Sequence, residues 1–572
     1  MKALYPIKSK IKHFKIVGYD TETYSNKNLF LLSGIFDEKY IFYTNKRDTI
    51  KALNVYKKGY IIATTNLQFD FTVTYLTEKE FFDYNIIMRQ GTFISCNKRG
   101  QKFIDTMNYS KASVKNLGNM LGISKLIAPS CLGKIPKNSN EWKYLKVYNS
   151  KDCLISKKFI EYSQKSLNIL GAELKSTIAS SAMNLYQRKY LKFPIHHERK
   201  NQNKFIFKSY YGGRVECINR GSIKAYLKKH KKKHLYFYDF NSLYPAVMMN
   251  EYPLPESCIQ LKNFKSIEHY INKYHGVTKC RIQTPEYMKY PILPYRSDEG
   301  KLIFPLGEFT GVWNNKELKI ALENGYKILR VYKSIYYKRT FYPFREYVTD
   351  LYNKRLYYQK KNNNIMAYFT KILLNSLYGK TGTRRIDKTI FFDINKTKKR
   401  SFEILEQNVG YIIEERECKG AYVFPIFASL TTAYARIKLW YAINENNALY
   451  YDTDSLITIN ILKDSKKLGE LKLEKIITKG VLVRPKMYMI NEEVKLKGIR
   501  FQDNKVKIFN DILSGKAIKQ RKFLKIKESI KRKMGMNEII EFLKFAHLED
   551  DKRYWKSSFN KYKTQESFPI IV

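Results

Sequence analysis

The chain has 572 residues, 44% of them hydrophobic and 15% aromatic, with 105 Lys and Arg against 52 Asp and Glu, a formal net charge of +53. This composition excludes a disordered chain, and the length exceeds what one ordinary core holds, so two or more domains are expected. Such a charge excess repels itself and points to a polyanionic partner, nucleic acid, although an AT-rich genome inflates Lys codons in the same direction.

The seven cysteines are odd in number and form no CxxC pair, so neither a zinc site nor a disulfide framework is implied, and a reducing compartment fits. The opening MKALYPIKSKIKHFK lacks an unbroken apolar core, and no signal peptide is expected. The least polar stretch, Ala421–Ala435, is shorter than the roughly 20 residues of a membrane span and reads as a buried strand and helix. No membrane partner is expected.

Between 14 and 150, short apolar runs (FKIVGYD, YIIATTN, FISCN, KFIDTM) alternate with helical stretches, an α/β pattern. The first run ends in Asp20-Thr21-Glu22. Residues i and i+2 of a strand share a face, so two carboxylates point the same way, and a bound cation relieves their repulsion. Asn66 and Asp70 share one helical face, as do Tyr148 and Asp152. Taken singly these features also describe an exposed acidic strand end, a helix capped by Asn66 and an amphipathic turn. A boundary is expected near 170–200, followed by the glycine turn Tyr210-Tyr211-Gly212-Gly213. Basic runs at Lys228–His234, Lys396–Arg400 and Lys519–Lys533 read as solvated faces suited to tracking phosphates.

A second pattern starts with the strand LYFYDF. Asp239 ends it, facing a helix N-terminus near Pro245, a natural place for a triphosphate. Helical stretches follow near 341–380 and 425–446. In the first, Lys371, Asn375 and Tyr378 fall on one face, so a cation, an amide and a phenol line one surface while Ile372, Leu373 and Leu377 point elsewhere. The segment ALYYDTDSLITI reads as a hairpin with Asp452 and Asp454 at its tip.

In this order, DxE on a strand, NxxxD and YxxxD resemble the three motifs of the DEDD proofreading exonucleases. The resemblance implies an RNase H-like domain in which Asp20, Glu22, Asp70 and Asp152 hold two metal ions. Tyr148 would orient the attacking water, and Asn66, Phe69 and Thr23 would hold a frayed single strand, Phe69 by stacking on a base. Thr106 and Met107 would approach the same strand, and Lys125 is a further basic residue with no firm place in the pattern. The sequences DxxSLYP, KxxxNSLYG and YxDTDS resemble the A, B and C motifs of family B DNA polymerases, which implies a right-hand architecture of palm, fingers and thumb. Asp239 and Asp454 would then bridge two Mg²⁺ ions (Mn²⁺ as a substitute), with Asp452 close by. Ser242, Leu243, Tyr244, Lys371, Asn375 and Tyr378 would bind the nucleotide: Lys371 on the triphosphate, Tyr244 under the sugar where it excludes a 2′-hydroxyl, Tyr378 facing the nascent pair. Tyr210, Gly212 and Gly213 resemble a template-contacting linker motif. Thr432 with Arg436, and Lys486 with Tyr488, resemble primer-strand contacts.

The expected fold is therefore an α/β multidomain chain, an exonuclease over 1–180 and a polymerase over 181–572. The palm is expected at 181–250 and 418–524, the fingers at 346–383 and the thumb at 525–572. Two insertions, 251–345 and 384–417, resemble those of protein-primed polymerases of small tailed phages and linear plasmids. There the first contacts a terminal protein that supplies the priming hydroxyl, and the second closes a ring around DNA that gives processivity and strand displacement. The expected partners are primer–template and single-stranded DNA, dNTPs and a terminal protein, for a monomer in the cytoplasm of a bacterial host or in an organelle. Nucleic-acid priming, a nuclease alone and a non-catalytic basic DNA-binding protein are the alternatives. The last is disfavoured because all the expected acids are present, and a nuclease leaves the second acid set unexplained.

Overall fold

A 32-residue helix, Ser139–Leu170, lies across a seven-stranded sheet, and this contact organises the first part of the chain. In this computed structural model the described residues are 2–572 apart from 26, 90–91, 384, 392–401, 405–411, 419, 501–503, 525–527, 530–531, 533 and 535–537. The sheet runs Tyr40–Tyr43, Leu29–Phe36, Lys15–Tyr24, Tyr60–Thr64, Gln101–Asp105, Thr92–Lys98, Asn85–Arg89. Its centre is parallel, Lys15–Tyr24 with Tyr60–Thr64 and that strand with Gln101–Asp105, and its edges are antiparallel. All four apolar runs of the sequence become strands, and the central ones are buried, as strands covered by helices are. The long helix approaches closely because Gly18 and Gly34 face it. A Cβ at 18 would lie 2.1 Å from the Cys153 carbonyl oxygen, and one at 34 would lie 2.0 Å from Asn149 Oδ1. The helix starts at Asn138, whose side chain accepts from the Glu141 N–H, and ends at Gly171 in the left-handed region at φ 95°. The boundary expected at 180/181 falls inside the helix Ile178–Leu185.

The second part is built on a five-stranded antiparallel sheet ordered Val215–Cys217, Tyr450–Asp452, Ser455–Thr458, Leu235–Phe240, Leu471–Ile477. The helix Pro425–Glu445, buried along most of its length, packs behind it and against the short helix Leu243–Met248. Two antiparallel helices, Arg345–Lys360 and Asn364–Thr381, stand beside this sheet; the Asn363 side chain caps the second by accepting from the Met366 N–H. They coincide with the stretch expected as fingers. A separate four-stranded sheet, Cys258–Gln260, Lys327–Tyr337, Gly276–Gln283, Glu308–Asn314, occupies the expected first insertion with two helices against it. Of the expected second insertion, the strands Arg385–Phe391, Phe402–Ile404 and Ile412–Cys418 form an antiparallel sheet whose first strand runs beside Asn85–Arg89; the rest of 384–417, including the basic run Lys396–Arg400, lies outside the described residues.

The boundary expected at 524/525 is corrected: Ile518–Phe523 pairs with Ile539–Lys544, so it would cut a hairpin. Beyond that hairpin the chain turns back. Thr564–Glu566 pairs with Asn219–Gly221, and the Val572 carbonyl accepts from the Glu308 N–H at 3.1 Å. Among the described residues no helix is long and apolar enough to cross a membrane.

Glu216 locks these pieces together. Its buried carboxylate accepts from Arg214 Nε at 2.7 Å, Arg553 at 3.1 Å and the Tyr451 hydroxyl at 2.6 Å. Burial alone would raise its pKa, but the two guanidiniums hold it down at about 2. A carboxyl depressed in the folded state stabilises it above the unfolded value near 4.5, and that contribution is lost as pH falls toward 2. Replacing Glu216 with Gln leaves two buried guanidiniums without their countercharge and is expected to cost about 3–5 kcal/mol at neutral pH. Urea unfolding of both proteins from pH 7 to pH 3 measures this, and the gap should narrow at the acid end.

Candidate active sites

The first acid set converges where the long helix crosses the central strands. Asp20 and Glu22 lie on Lys15–Tyr24, Asp70 on Leu67–Tyr75, and Tyr148 and Asp152 on Ser139–Leu170. Asn149 Nδ2 donates to Asp20 at 2.9 Å and to Glu22 at 3.4 Å, while its carbonyl accepts from the Tyr40 hydroxyl at 3.0 Å. Thr21 fixes Asp70 through its backbone N–H at 3.1 Å and its hydroxyl at 2.8 Å. The Lys125 ammonium pairs with Asp152 and stands 4.7 Å from the centre of the Tyr148 ring.

Electrostatics mark this cluster as strained. Burial, then repulsion from Asp70, Glu22 and Asp152, pushes Asp20 far above the usual carboxylate range. Burial, with Asp152 adding to it, lifts Glu22 to about 7, and burial lifts Asp70 to about 8 against the hydrogen bonds from Thr21. Burial raises Asp152 too, although Lys125 opposes it. One carboxylate oxygen each of Asp70 and Asp152 is buried without a hydrogen-bond partner. Among the described residues no three acidic, histidine or cysteine side chains already stand close enough to grip an ion. The fit to divalent cations rests on the gathered like charge and on those two oxygens.

Asn66 does not cap its helix. It is exposed and left-handed, at φ 74°, and its side chain makes no cap bond. Asp105 does that work, accepting from the N–H groups of Asn66 and Leu67, each at 3.1 Å, and of Met107 at 2.8 Å. Thr106 is fully buried, so its side chain is unavailable to a strand. Thr23, half-buried, donates to Asn28 at 3.3 Å, and Phe69 is half-buried.

The second acid set is positioned by sheet register. Asp239 pairs across the sheet with Ser455, and the Phe240 N–H donates to the Asp454 carbonyl at 2.7 Å. Thr453 turns the hairpin at φ 63°, and Asp452 pairs with Ser455 on the far side. Asp239 and Asp454 line a cavity of about 560 Å³ together with Ser242, Leu243, Tyr244, Lys371, Asn375 and Tyr378. Every nucleotide-contacting residue expected from sequence is thus on one wall or another of a single cavity. Sequence reasoning missed Arg355, Lys466, Lys472 and Glu474, which complete it. Arg355 donates to the Ser242 hydroxyl at 3.2 Å, and Lys472 stands opposite Asp239 on the neighbouring strand. Burial and the charges of Asp454 and Glu474 raise Asp239 to about 7 despite Lys472 and Lys371. Burial and Asp452 raise Asp454. The rings of Tyr244 and Tyr378 stack with centroids 4.6 Å apart and planes 1° from parallel.

Asp452 is outside this cavity. Both its oxygens accept from Lys486 Nζ, at 2.6 and 2.8 Å, and Tyr488 packs edge-on against Tyr450 at 5.3 Å. Gly213 abuts Thr453 and Tyr244, where a Cβ would come within 2.9 and 3.1 Å of side-chain atoms. Tyr210 lies against Gly382 and Gly212 is exposed. One expectation is corrected here. Thr432 and Arg436 are buried. The Thr432 hydroxyl donates to the Ser429 carbonyl, and the Arg436 guanidinium is taken up by Glu317 at 2.8 and 2.9 Å and by the carbonyls of Tyr211 and Gly212, both at 2.9 Å. Arg436 is buried and braces the glycine turn from inside.

The family model described as DNA polymerase type B, organellar and viral, matches residues 134–421, just over half of the chain. A "Probable DNA polymerase" of Podospora anserina is 29% identical over 395 residues, 60% of this chain and 31% of that protein. The "DNA-directed DNA polymerase" of Enterobacteria phage PRD1 is 23% identical over 385 residues, 63% of this chain and 62% of that protein. The matched stretch spans about a third of the length of the Podospora anserina and Neurospora intermedia proteins. Among solved structures, Phi29 DNA polymerase with primer-template DNA and incoming nucleotides superposes with a TM-score of 0.69 at 16% identity, covering 94% of this chain and all of that one. The multidomain α/β fold is therefore that of Phi29 DNA polymerase, and the chain belongs to the organellar and viral type B DNA polymerases.

Proposed function

We propose that the chain is a DNA-directed DNA polymerase with its own 3′→5′ proofreading exonuclease, the two reactions run at the two separate acid clusters. The observation that carries this reading is the single cavity in which Asp239 and Asp454 meet Lys371, Asn375 and the Tyr244–Tyr378 stack. Divalent cations, Mg²⁺ or in its place Mn²⁺, would be held by Asp239 and Asp454 in one site and by Asp20, Glu22, Asp70 and Asp152 in the other. Bound there, they supply charge neutralisation and activation of the attacking oxygen.

The chain's own residues do the rest. Lys371, with Arg355 and Lys466 on adjoining walls, binds and orients the triphosphate through point charges and a guanidinium fork. Tyr244 forms the floor under the sugar, held flat against Tyr378, so the space for a 2′-hydroxyl is closed by a ring that cannot turn without breaking its stack. Lys486 pairs with Asp452 and holds it outside the cavity, near the expected primer end. In the other site Tyr148, held under the Lys125 ammonium, orients the attacking water. Asn66, Phe69 and Thr23 hold the single strand, and Tyr210, Gly212 and Gly213 carry the template past Tyr244.

Structures similar in fold include Phi29 DNA polymerase complexed with primer-template DNA, with single-stranded DNA and with incoming nucleotides, the substrates proposed for this chain. The four-stranded module within 251–345 and the small sheet within 384–417 support protein priming by a terminal protein and processive, strand-displacing synthesis, because they stand where the two insertions were expected. Rolling-circle synthesis on a primed circle without accessory proteins, and attachment of a labelled dNMP to a cognate terminal protein, test these features. Short products or an unlabelled protein would favour ordinary nucleic-acid priming.

Asp454→Asn is expected to abolish nucleotide addition and leave primer degradation, whereas Asp20→Ala with Glu22→Ala does the reverse. Primer-extension and excision assays on the same preparations read both, and loss of both activities in each folded variant contradicts two separate sites. Tyr244→Val should raise ribonucleotide incorporation by a factor of about 10 or more, the value of one lost contact of 1.4 kcal/mol; unchanged discrimination removes Tyr244 from sugar selection.

The raised carboxyls give a pH dependence of definite sign. Glu22 at about 7 and Asp70 at about 8 keep protons in the folded chain that the unfolded chain has released, so stability falls as pH rises from about 5 to about 8. A divalent cation favours the ionised carboxylates, so the gain in Tm on adding Mg²⁺ should grow over the same interval. Scanning calorimetry with EDTA or Mg²⁺ checks this, and Asp20→Ala with Glu22→Ala should remove most of the gain.

A further inference from the structure

The helix that carries Asp70 also carries Phe69, and the Phe69 ring meets the ring of Phe523 with centroids 5.8 Å apart and planes at 61°. Phe523 closes the first strand of the C-terminal hairpin, far away in the chain, and both rings are half-buried. Their contact is edge to face, which leaves ring face uncovered, the surface a nucleobase takes up. Around this pair the chemistry suits a single strand. Asn66, one turn before Asp70, is exposed and its amide is not used as a cap, because Asp105 has taken that position. On the hairpin, Lys519 and Arg521 share the strand face of Phe523, and the two cations pair with the single carboxylate of Glu541, leaving that face net positive.

We propose that Phe523 is the second stacking wall for the 3′-terminal base of a frayed strand. The base enters between Phe69 and Phe523, the rings turn toward parallel, and Lys519 and Arg521 face the sugar–phosphate backbone behind it. The inference rests on the proofreading reading. It adds that the excision site is completed by an aromatic from the C-terminal hairpin, so occupancy of that site sets the hairpin's position.

The test uses an oligonucleotide with 2-aminopurine as its 3′-terminal base, whose fluorescence is quenched on stacking, with Ca²⁺ in place of Mg²⁺ to hold the strand uncut. Phe523→Ala should lose most of the quench, weaken single-strand binding about 10-fold, and slow excision of a mispaired terminus while matched-primer extension continues at its usual rate. Phe523→Leu keeps apolar packing but offers no ring, and should behave like the Ala variant; Phe523→Trp should restore quench and excision. If the Leu variant quenches and excises like the unaltered protein, or if the Ala variant does, Phe523 is interface packing and the inference is overturned. Failure of the unaltered protein to degrade any single strand would instead overturn the proofreading reading.

Discussion

Repulsion between gathered carboxylates is the constraint on which both sites depend. A chain carrying +53 could scatter its acids among its lysines, yet it buries Asp20, Glu22, Asp70 and Asp152 together and turns Asp239 toward Asp454. Side-chain contacts alone would not hold such groups in place; backbone register does. Asp20 and Glu22 share a face because they are two apart on a strand hydrogen-bonded on both sides. Asp239 and Asp454 are neighbours because the Phe240 N–H is bonded to the Asp454 carbonyl. Burial raises the pKa values of Glu22, Asp70 and Asp239 first, and neighbouring carboxylates add to it.

Buried ion pairs placed away from the sites fix the geometry around them. Glu216 binds Arg214, Arg553 and Tyr451 on the strand next to the Asp452 hairpin, and Glu317 binds Arg436 behind the glycine turn. Each joins segments distant in sequence. Arg553 brings the returning C-terminal segment to the central sheet, and Glu317 brings a helix of the 251–345 module to the helix Pro425–Glu445. Buried ion pairs of this kind fix geometry more reliably than they add stability. Fixed geometry is what a hairpin carrying two aspartates and a glycine turn require.

Strand runs, the paired helices near 345–381 and the three sequence elements of each site were legible in the sequence because each is local. Asp20 with Glu22, or Lys371 with Asn375 and Tyr378, needs only a period of 2 or 3.6 to be placed. What stayed hidden came from elsewhere in the chain. Lys125 reaches Asp152 from a loop with no periodicity of its own, and Asn149, one residue after Tyr148, reads as an ordinary helical amide until the strand above it is known. Asp105 reads as a strand end and caps another element's helix. Arg436 fits a primer-contact motif by spacing, yet its partner Glu317 belongs to a module over a hundred residues earlier, and nothing near 436 announces it. The hairpin Ile518–Lys544 escaped because its strands mix charged and apolar residues without the alternation that marks a half-buried sheet.

Part of the backbone strain lies at the same places. Asn66, Ser242, Thr453 and Lys486 all have positive φ, between 56° and 74°, and each adjoins an acid of one cluster or the other. Side chains other than glycine occupy this region at a cost of order 1–3 kcal/mol, and do so only where surrounding contacts leave no alternative. At Thr453 the alternative is removed by the Arg214 carbonyl, which accepts its N–H at 2.8 Å, and Gly213 leaves the space that the Thr453 side chain takes up. At Asn66 it is removed by Asp105, which holds its N–H and the next one. At Lys486 the N–H is held by the Tyr450 hydroxyl at 2.9 Å, and the ammonium grips Asp452. Glycine would ease all four turns, but it would give up an exposed amide, a hydroxyl bonded to Arg355, the Thr453 side chain packed at Gly213 and the Lys486 ammonium. The fold bears the strain because the side chains at those turns are the ones that face the two acid clusters.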